Sequence, residues 1–180
     1  VTVTVVGIDP SLTATGIVST AGWCRTVGRP GITTLPLAER LAAIDSLVGD
    51  IRLQVAYPDL AVIEQPAFSR TGGGAVERHA LWWLLVRALH RNAVPVAVAV
   101  PGAVKRYATG KGGAPKGAVI DAVARRFPQY ATGGDDNCAD ALVLAAMGAD
   151  HLGHPLTPMP ATHRAALDGV QWPDNLETIR

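Results

Sequence analysis

The chain has 180 residues, 48% of them hydrophobic and 17% charged, with a net charge of +1. That composition fits one globular domain with a core of its own and excludes a disordered chain. No apolar run approaches the roughly 20 residues of a membrane span, and the start shows no basic n-region or small-residue cleavage site. A cytoplasmic protein is therefore expected, and Cys24 and Cys138, far apart and without CxxC spacing, are expected to be reduced thiols.

Residues 1–9, 14–20 and 22–28 read as three extended segments divided by short turn signals, an antiparallel meander. The first ends in a single carboxylate, Asp9, before a turn through Pro10 and Ser11. From 35 to 55 the period changes: Leu37, Leu41, Ile44, Leu47, Val48 and Ile51 recur three and four apart, an amphipathic helix that stops before Pro58. Residues 60–64, LAVIE, repeat the grammar of the first strand, an apolar run closed by an acid, Glu64.

A polar, glycine-rich loop follows over 65–74, then a helix over 75–92 and a strand over 94–100 with Pro95 near its start. In that helix Trp82 and Trp83 cannot both face the core; one is buried, and the other is either partly solvated or part of a dimer contact. Pro101 opens a short helix. TGKGGAPK, 109–116, is a flexible basic loop, and helices are expected over 117–127 and 135–151. The tail from 153 is rich in Pro, His and polar residues, and no regular structure is assigned to it.

Three strands followed by alternating helices and strands describe an α/β domain with a mixed sheet. In its parallel part Asp9 and Glu64 close strands at their carboxyl ends, the edge where open α/β sheets bind ligands. A third group of acids begins the last helix. At 100° per residue Asp136 and Asp140 lie about 40° apart and share a face, whereas Asp135 points elsewhere and suits a helix N-terminus.

Each acid alone has an ordinary use, Asp9 in a turn and Glu64 as a solvated strand end. Four acids from three distant segments, Asp9, Glu64, Asp136 and Asp140, are tolerable together only around cations, and hard oxygen ligands favour Mg²⁺ or Mn²⁺ over zinc. Two such ions would activate a water and stabilise the leaving oxygen of a phosphodiester. Between residues 99 and 126 Lys105, Arg106, Lys111, Lys116, Arg125 and Arg126 face the one acid Asp121, a surplus suited to a polyanionic backbone. The glycines of 109–116 lack Walker spacing, so nucleotide hydrolysis is not indicated.

GIDPSLTATG, VIEQPAF, VPGAVKRYATGKGGAPK and DDNCADALVLA, in this order over roughly residues 5–149, resemble the RuvC family of Holliday junction resolvases. The resemblance implies an RNase H-like fold with a five-stranded mixed sheet flanked by helices, a nuclease domain over 1–152 and a tail over 153–180. It implies metal-binding catalytic roles for Asp9, Glu64 and Asp140, and DNA contacts from Lys105, Lys111 and Lys116. It further implies a homodimer that nicks a four-way junction symmetrically, leaving 5′-phosphate and 3′-hydroxyl ends, and a branch-migration helicase as a partner.

Two departures stand out. Family members commonly carry DxxD where this chain has Asn137 three residues before Asp140, so Asp136 is taken as the fourth ligand, with Asn137 and Asp135 as alternatives. The family's aromatic after the strand acid, able to stack on an opened base, corresponds to Phe68, four residues past Glu64. Readings that stay open are a nuclease for other branched DNA and a module that binds branched DNA without cutting. An actin-like ATPase would need two such lobes, more than this length supplies.

Overall fold

The computed structural model describes residues 3–67, 73–130, 132–174 and 176. Val5–Asp9 (β1), Thr15–Ser19 (β2) and Trp23–Val27 (β3) form the antiparallel meander. Leu37–Val55 (α1), Leu60–Glu64 (β4), Ala75–Arg91 (α2) and Val96–Ala99 (β5) follow. Pro101–Thr109 (α3), Lys116–Arg126 (α4) and Asp136–His151 (α5) complete the main body. The sheet order is β3-β2-β1-β4-β5-β6, with β1, β4 and β5 parallel.

Helices cover both faces, which is why VVGID and LAVIE are apolar on both sides of the strand rather than alternating. One core joins Val6, Ile8, Ala61 and Ile63 to α1 and α2; the other joins Val5, Leu60 and Val62 to α3, α4 and α5. Between Cys138 and Asp150 every α5 residue except Asp140 is buried. This stretch of the helix lies within the domain, and its one partly open position carries an acid.

The sheet has six strands, not five. Val170–Gln171 (β6), from the stretch expected to be irregular, pairs antiparallel with β5 and covers an edge that would otherwise present unpaired backbone groups. Polar contacts that no periodicity signals hold this stretch down. Buried Asp150 accepts from the Tyr107 hydroxyl at 3.0 Å and pairs with Arg164 at 2.9 Å, His163 Nδ1 lies 2.7 Å from the Tyr107 carbonyl, and Trp172 stacks on His151.

The two cysteines also depart from expectation. Cys24 and Cys138 are joined in a disulfide rather than standing as separate thiols. Pairing of β3 with β2 sets Cys24 against the first turn of α5, where the two Cα atoms lie 6.2 Å apart, within bridging range although 114 residues separate them in sequence. Among the described residues no helix is long and apolar enough to cross a membrane.

Candidate active site

Three elements meet at the carboxyl ends of the parallel strands. The register that sets Ile8 beside Ile63 places Asp9 and Glu64 next to each other at the ends of β1 and β4. Helix α5 crosses these strands and brings Asp140 to the same edge.

The approach of α5 depends on two strand glycines. A Cβ on Gly7 would lie 2.0 Å from the carbonyl oxygen of Ala141, and one on Gly16 2.0 Å from that of Asn137. Only a residue without a side chain lets the helix backbone come so near the sheet. Glycine inside an apolar strand is the sequence signal that marks such a close backbone approach.

The turn after Asp9 is fixed by buried Thr15. Its hydroxyl accepts from the Ser11 backbone N–H at 3.0 Å and donates to the Ser11 carbonyl at 2.6 Å. On the other side, Trp82 is the buried tryptophan, 8% exposed, and its indole N–H donates to the Glu64 carbonyl at 2.9 Å. Trp83 is 65% exposed. The pair that periodicity could not separate thus divides into a clamp on the acid's backbone and a surface residue.

Electrostatics show how closely the three acids are grouped. Removal from water raises the Glu64 pKa most; the charges of Asp9 and Asp140 and a hydrogen bond with Asp9 raise it further, Lys105 opposes them, and the result is about 9. Glu64 is therefore protonated at neutral pH when no cation is present. Burial also raises the Asp140 pKa, against the pull of Lys116 and Lys105.

Asp136 has a different position. It forms an ion pair with Lys116, accepts from the Asn137 side-chain amide at 3.3 Å, and is not among the groups that shift Glu64. Asp135 caps α5: its carboxylate accepts from the Asn137 backbone N–H at 2.9 Å and from the Thr26 hydroxyl at 3.0 Å. Of the three lysines, Lys105 and Lys116 act on the acids, whereas Lys111 lines a separate cleft beside α4. Phe68 lies outside the described residues.

Among the described residues no three Asp, Glu, His or Cys side chains close to metal-holding distances. The donor set nonetheless fits a divalent cation. Three carboxylates share an edge where one must hold a proton, and a hard cation is the partner that would let all three ionise.

A dependence of stability on pH follows. Glu64 titrates near 4.5 when exposed and near 9 in the folded chain, so between these values the folded state holds one more proton than the unfolded state. Stability without metal must then fall as pH rises through that window. The melting temperature in EDTA is expected to drop from about pH 5 to about pH 8, added Mg²⁺ to raise it more at the higher pH, and Glu64→Gln to flatten the profile. A wild-type melting temperature that stays level across this range contradicts the grouping of the acids.

A family model described as crossover junction endodeoxyribonuclease RuvC matches residues 5–147. The crossover junction endodeoxyribonuclease RuvC of Parvibaculum lavamentivorans is 33% identical over 151 residues, covering 81% of this chain and 85% of that protein. That of a Synechococcus strain is 30% identical over 152 residues, covering 80% and 96%. The structure of Thermus thermophilus RuvC matches with a TM-score of 0.60 at 23% identity, over 84% of this chain and 97% of that one. Thermus thermophilus RuvC in complex with Holliday junction substrate matches with a TM-score of 0.58 at 22% identity, over 80% and 91%. Both share the mixed α/β, RNase H-like architecture, and with the family model spanning most of its length this chain belongs to the RuvC family of crossover junction endodeoxyribonucleases.

Proposed function

We propose that this chain resolves four-way DNA junctions by metal-dependent phosphodiester hydrolysis, with Asp9, Glu64 and Asp140 as the catalytic metal ligands. The observation that carries the reading is the meeting of these three acids beside Lys105 and Lys116 at the carboxyl edge of the parallel strands. A related protein of the same fold is described in complex with Holliday junction substrate. Mg²⁺ is the cation these oxygen donors suit, with Mn²⁺ able to substitute, and two ions per site would match the number of carboxylates. Bound there, the metal supplies an activated water and stabilisation of the leaving 3′ oxygen, so that cutting leaves 5′-phosphate and 3′-hydroxyl ends.

The chain's own residues supply placement. Asp9 and Glu64 are rigid because they close strands within the sheet, and Trp82 fixes the Glu64 backbone. Lys105, partly buried next to the acids, stands where it can hold a phosphate without rearrangement. Lys116 is exposed and paired with Asp136, so an incoming strand can take this lysine while Asp136 turns to the metal as a fourth ligand. In this reading Asp136 changes partner between the free and DNA-bound states.

One active site cuts one strand, so two nicks require a homodimer. Exposed Val76 and Trp83, seven residues apart on α2, form an apolar stripe that a second copy would cover. A genomic substrate places the work in the cytoplasm, during recombination and repair beside a branch-migration helicase; this placement rests on the substrate and not on the cysteines.

The test is incubation with synthetic four-way, three-way, flap and linear duplex DNA, with and without Mg²⁺. Paired nicks in the four-way substrate alone, dependent on Mg²⁺, are expected. Equal cutting of all branched forms would broaden the substrate class, and tight binding with no cutting in Mg²⁺ or Mn²⁺ would leave a junction-binding module.

A further inference from the structure

A second basic feature lies away from the acids. A cleft of about 830 Å³ opens between the end of α3, the turn that follows it and one face of α4, and Lys111, Arg125 and Arg126 line it. Ala118, Ala122 and Arg125 fall four and three residues apart, so they project from one side of α4, and the two alanines keep the floor open. No carboxylate and no aromatic ring is among the lining residues, and Asp121, the acid of α4, is not part of it. Among the described residues no ion pair involves Lys111, Arg125 or Arg126.

Three cations lining one cleft without acids suit an anion, and the lack of an aromatic surface favours a backbone over a base. Helix α4 also connects this cleft to the cutting site. Its first residue, Lys116, pairs with Asp136 and acts on Asp140, while Arg125 and Arg126 end it, about 14 Å away at 1.5 Å per residue. That span equals about four nucleotide steps of duplex at 3.4 Å each.

We propose that this cleft binds the phosphodiester backbone of the junction arm flanking the cut, with Lys111, Arg125 and Arg126 gripping phosphates within about four nucleotides of the scissile bond. The inference rests on the reading of the chain as a junction-binding nuclease and adds Arg125 and Arg126, which lie outside the four motifs, to the Lys111 contact that the resemblance implies. Arg125 and Arg126 serve affinity and register, whereas the acids carry the chemistry.

The experiment compares wild type with R125A/R126A on a four-way junction in EDTA over a range of salt. The variant is expected to keep the wild-type melting temperature, to bind on the order of ten-fold more weakly near 0.1 M salt, and to lose about two from the slope of log affinity against log salt. Methylphosphonate replacement of single phosphates about three to five positions from the cut should weaken the wild type and leave the variant unaffected.

Unchanged affinity and slope in R125A/R126A would overturn the proposal while a wild type that binds and cuts keeps the parent reading intact. A wild type that neither binds nor cuts junctions would remove both. A triphosphate that raises the melting temperature of wild type but not of the variant, with junction binding equal in the two, would assign the cleft to a small anion and overturn the proposal as well.

Discussion

Asp140→Asn is expected to lower single-turnover cutting of a four-way junction by about 10³-fold or more, while the protein stays folded. A carboxylate that helps hold the cation contributes several kcal/mol of transition-state stabilisation, and each 1.36 kcal/mol is a factor of ten in rate. The same substitution removes one of the charges that push up the Glu64 pKa. The metal-free melting temperature at about pH 8 should therefore hold or rise, since a crowded acidic site is destabilised by its own charge. Loss of activity with retained stability separates a metal ligand from a structural acid. Undiminished cutting by Asp140→Asn would remove the site as described.

Gly7→Ala is expected to be as damaging, by another route. The added methyl would meet the Ala141 carbonyl oxygen at 2.0 Å and the Ala145 backbone nitrogen at 2.5 Å. Backbone atoms of a buried helix cannot turn aside as a flexible side chain can. The cost is expected at or above the upper end of the roughly 1–3 kcal/mol usual for overpacking, a fall in melting temperature on the order of 10 °C. Cutting should fall with it, because moving α5 off β1 carries Asp140 away from Asp9. Gly49→Ala, at an exposed position of α1 with nothing within 4 Å of the added atom, is the control and should be neutral or stabilising by about 0.5–1 kcal/mol. A Gly7→Ala protein with unchanged melting temperature and rate would show that the close helix contact is dispensable.

Much of this was legible along the chain. The helix periods of 37–55 and 75–91 mark one buried face each, and the apolar runs of VVGID and LAVIE mark strands buried on both sides, because burial follows the repeat of each element. The strand-end acids were legible because a carboxylate closing an apolar run is conspicuous. Less legible was the partner of each group. Asp136 and Asp140 share a helical face, yet Asp136 is turned to Lys116, twenty residues earlier, and a face is only a direction. Cys24 and Cys138 show no spacing motif because their pairing comes from a strand and a helix brought together by the sheet.

The sixth strand leaves no signal along the chain for a related reason. Val170 and Gln171 are too few for a period, and they are ordered by β5 and by the Asp150–Arg164 pair rather than by their own preference.

The sequence by itself determined the class of fold, the family and the four candidate acids, since each is written in residue types and short spacings that survive any arrangement of the rest. Only the tertiary structure decided that Glu64 holds a proton when metal is absent, that Asp136 belongs to Lys116 in the free protein, and that Gly7 and Gly16 admit the helix carrying Asp140. Those outcomes depend on distances between segments that the chain order leaves apart, and electrostatic and steric energies are functions of such distances, not of order along the polymer.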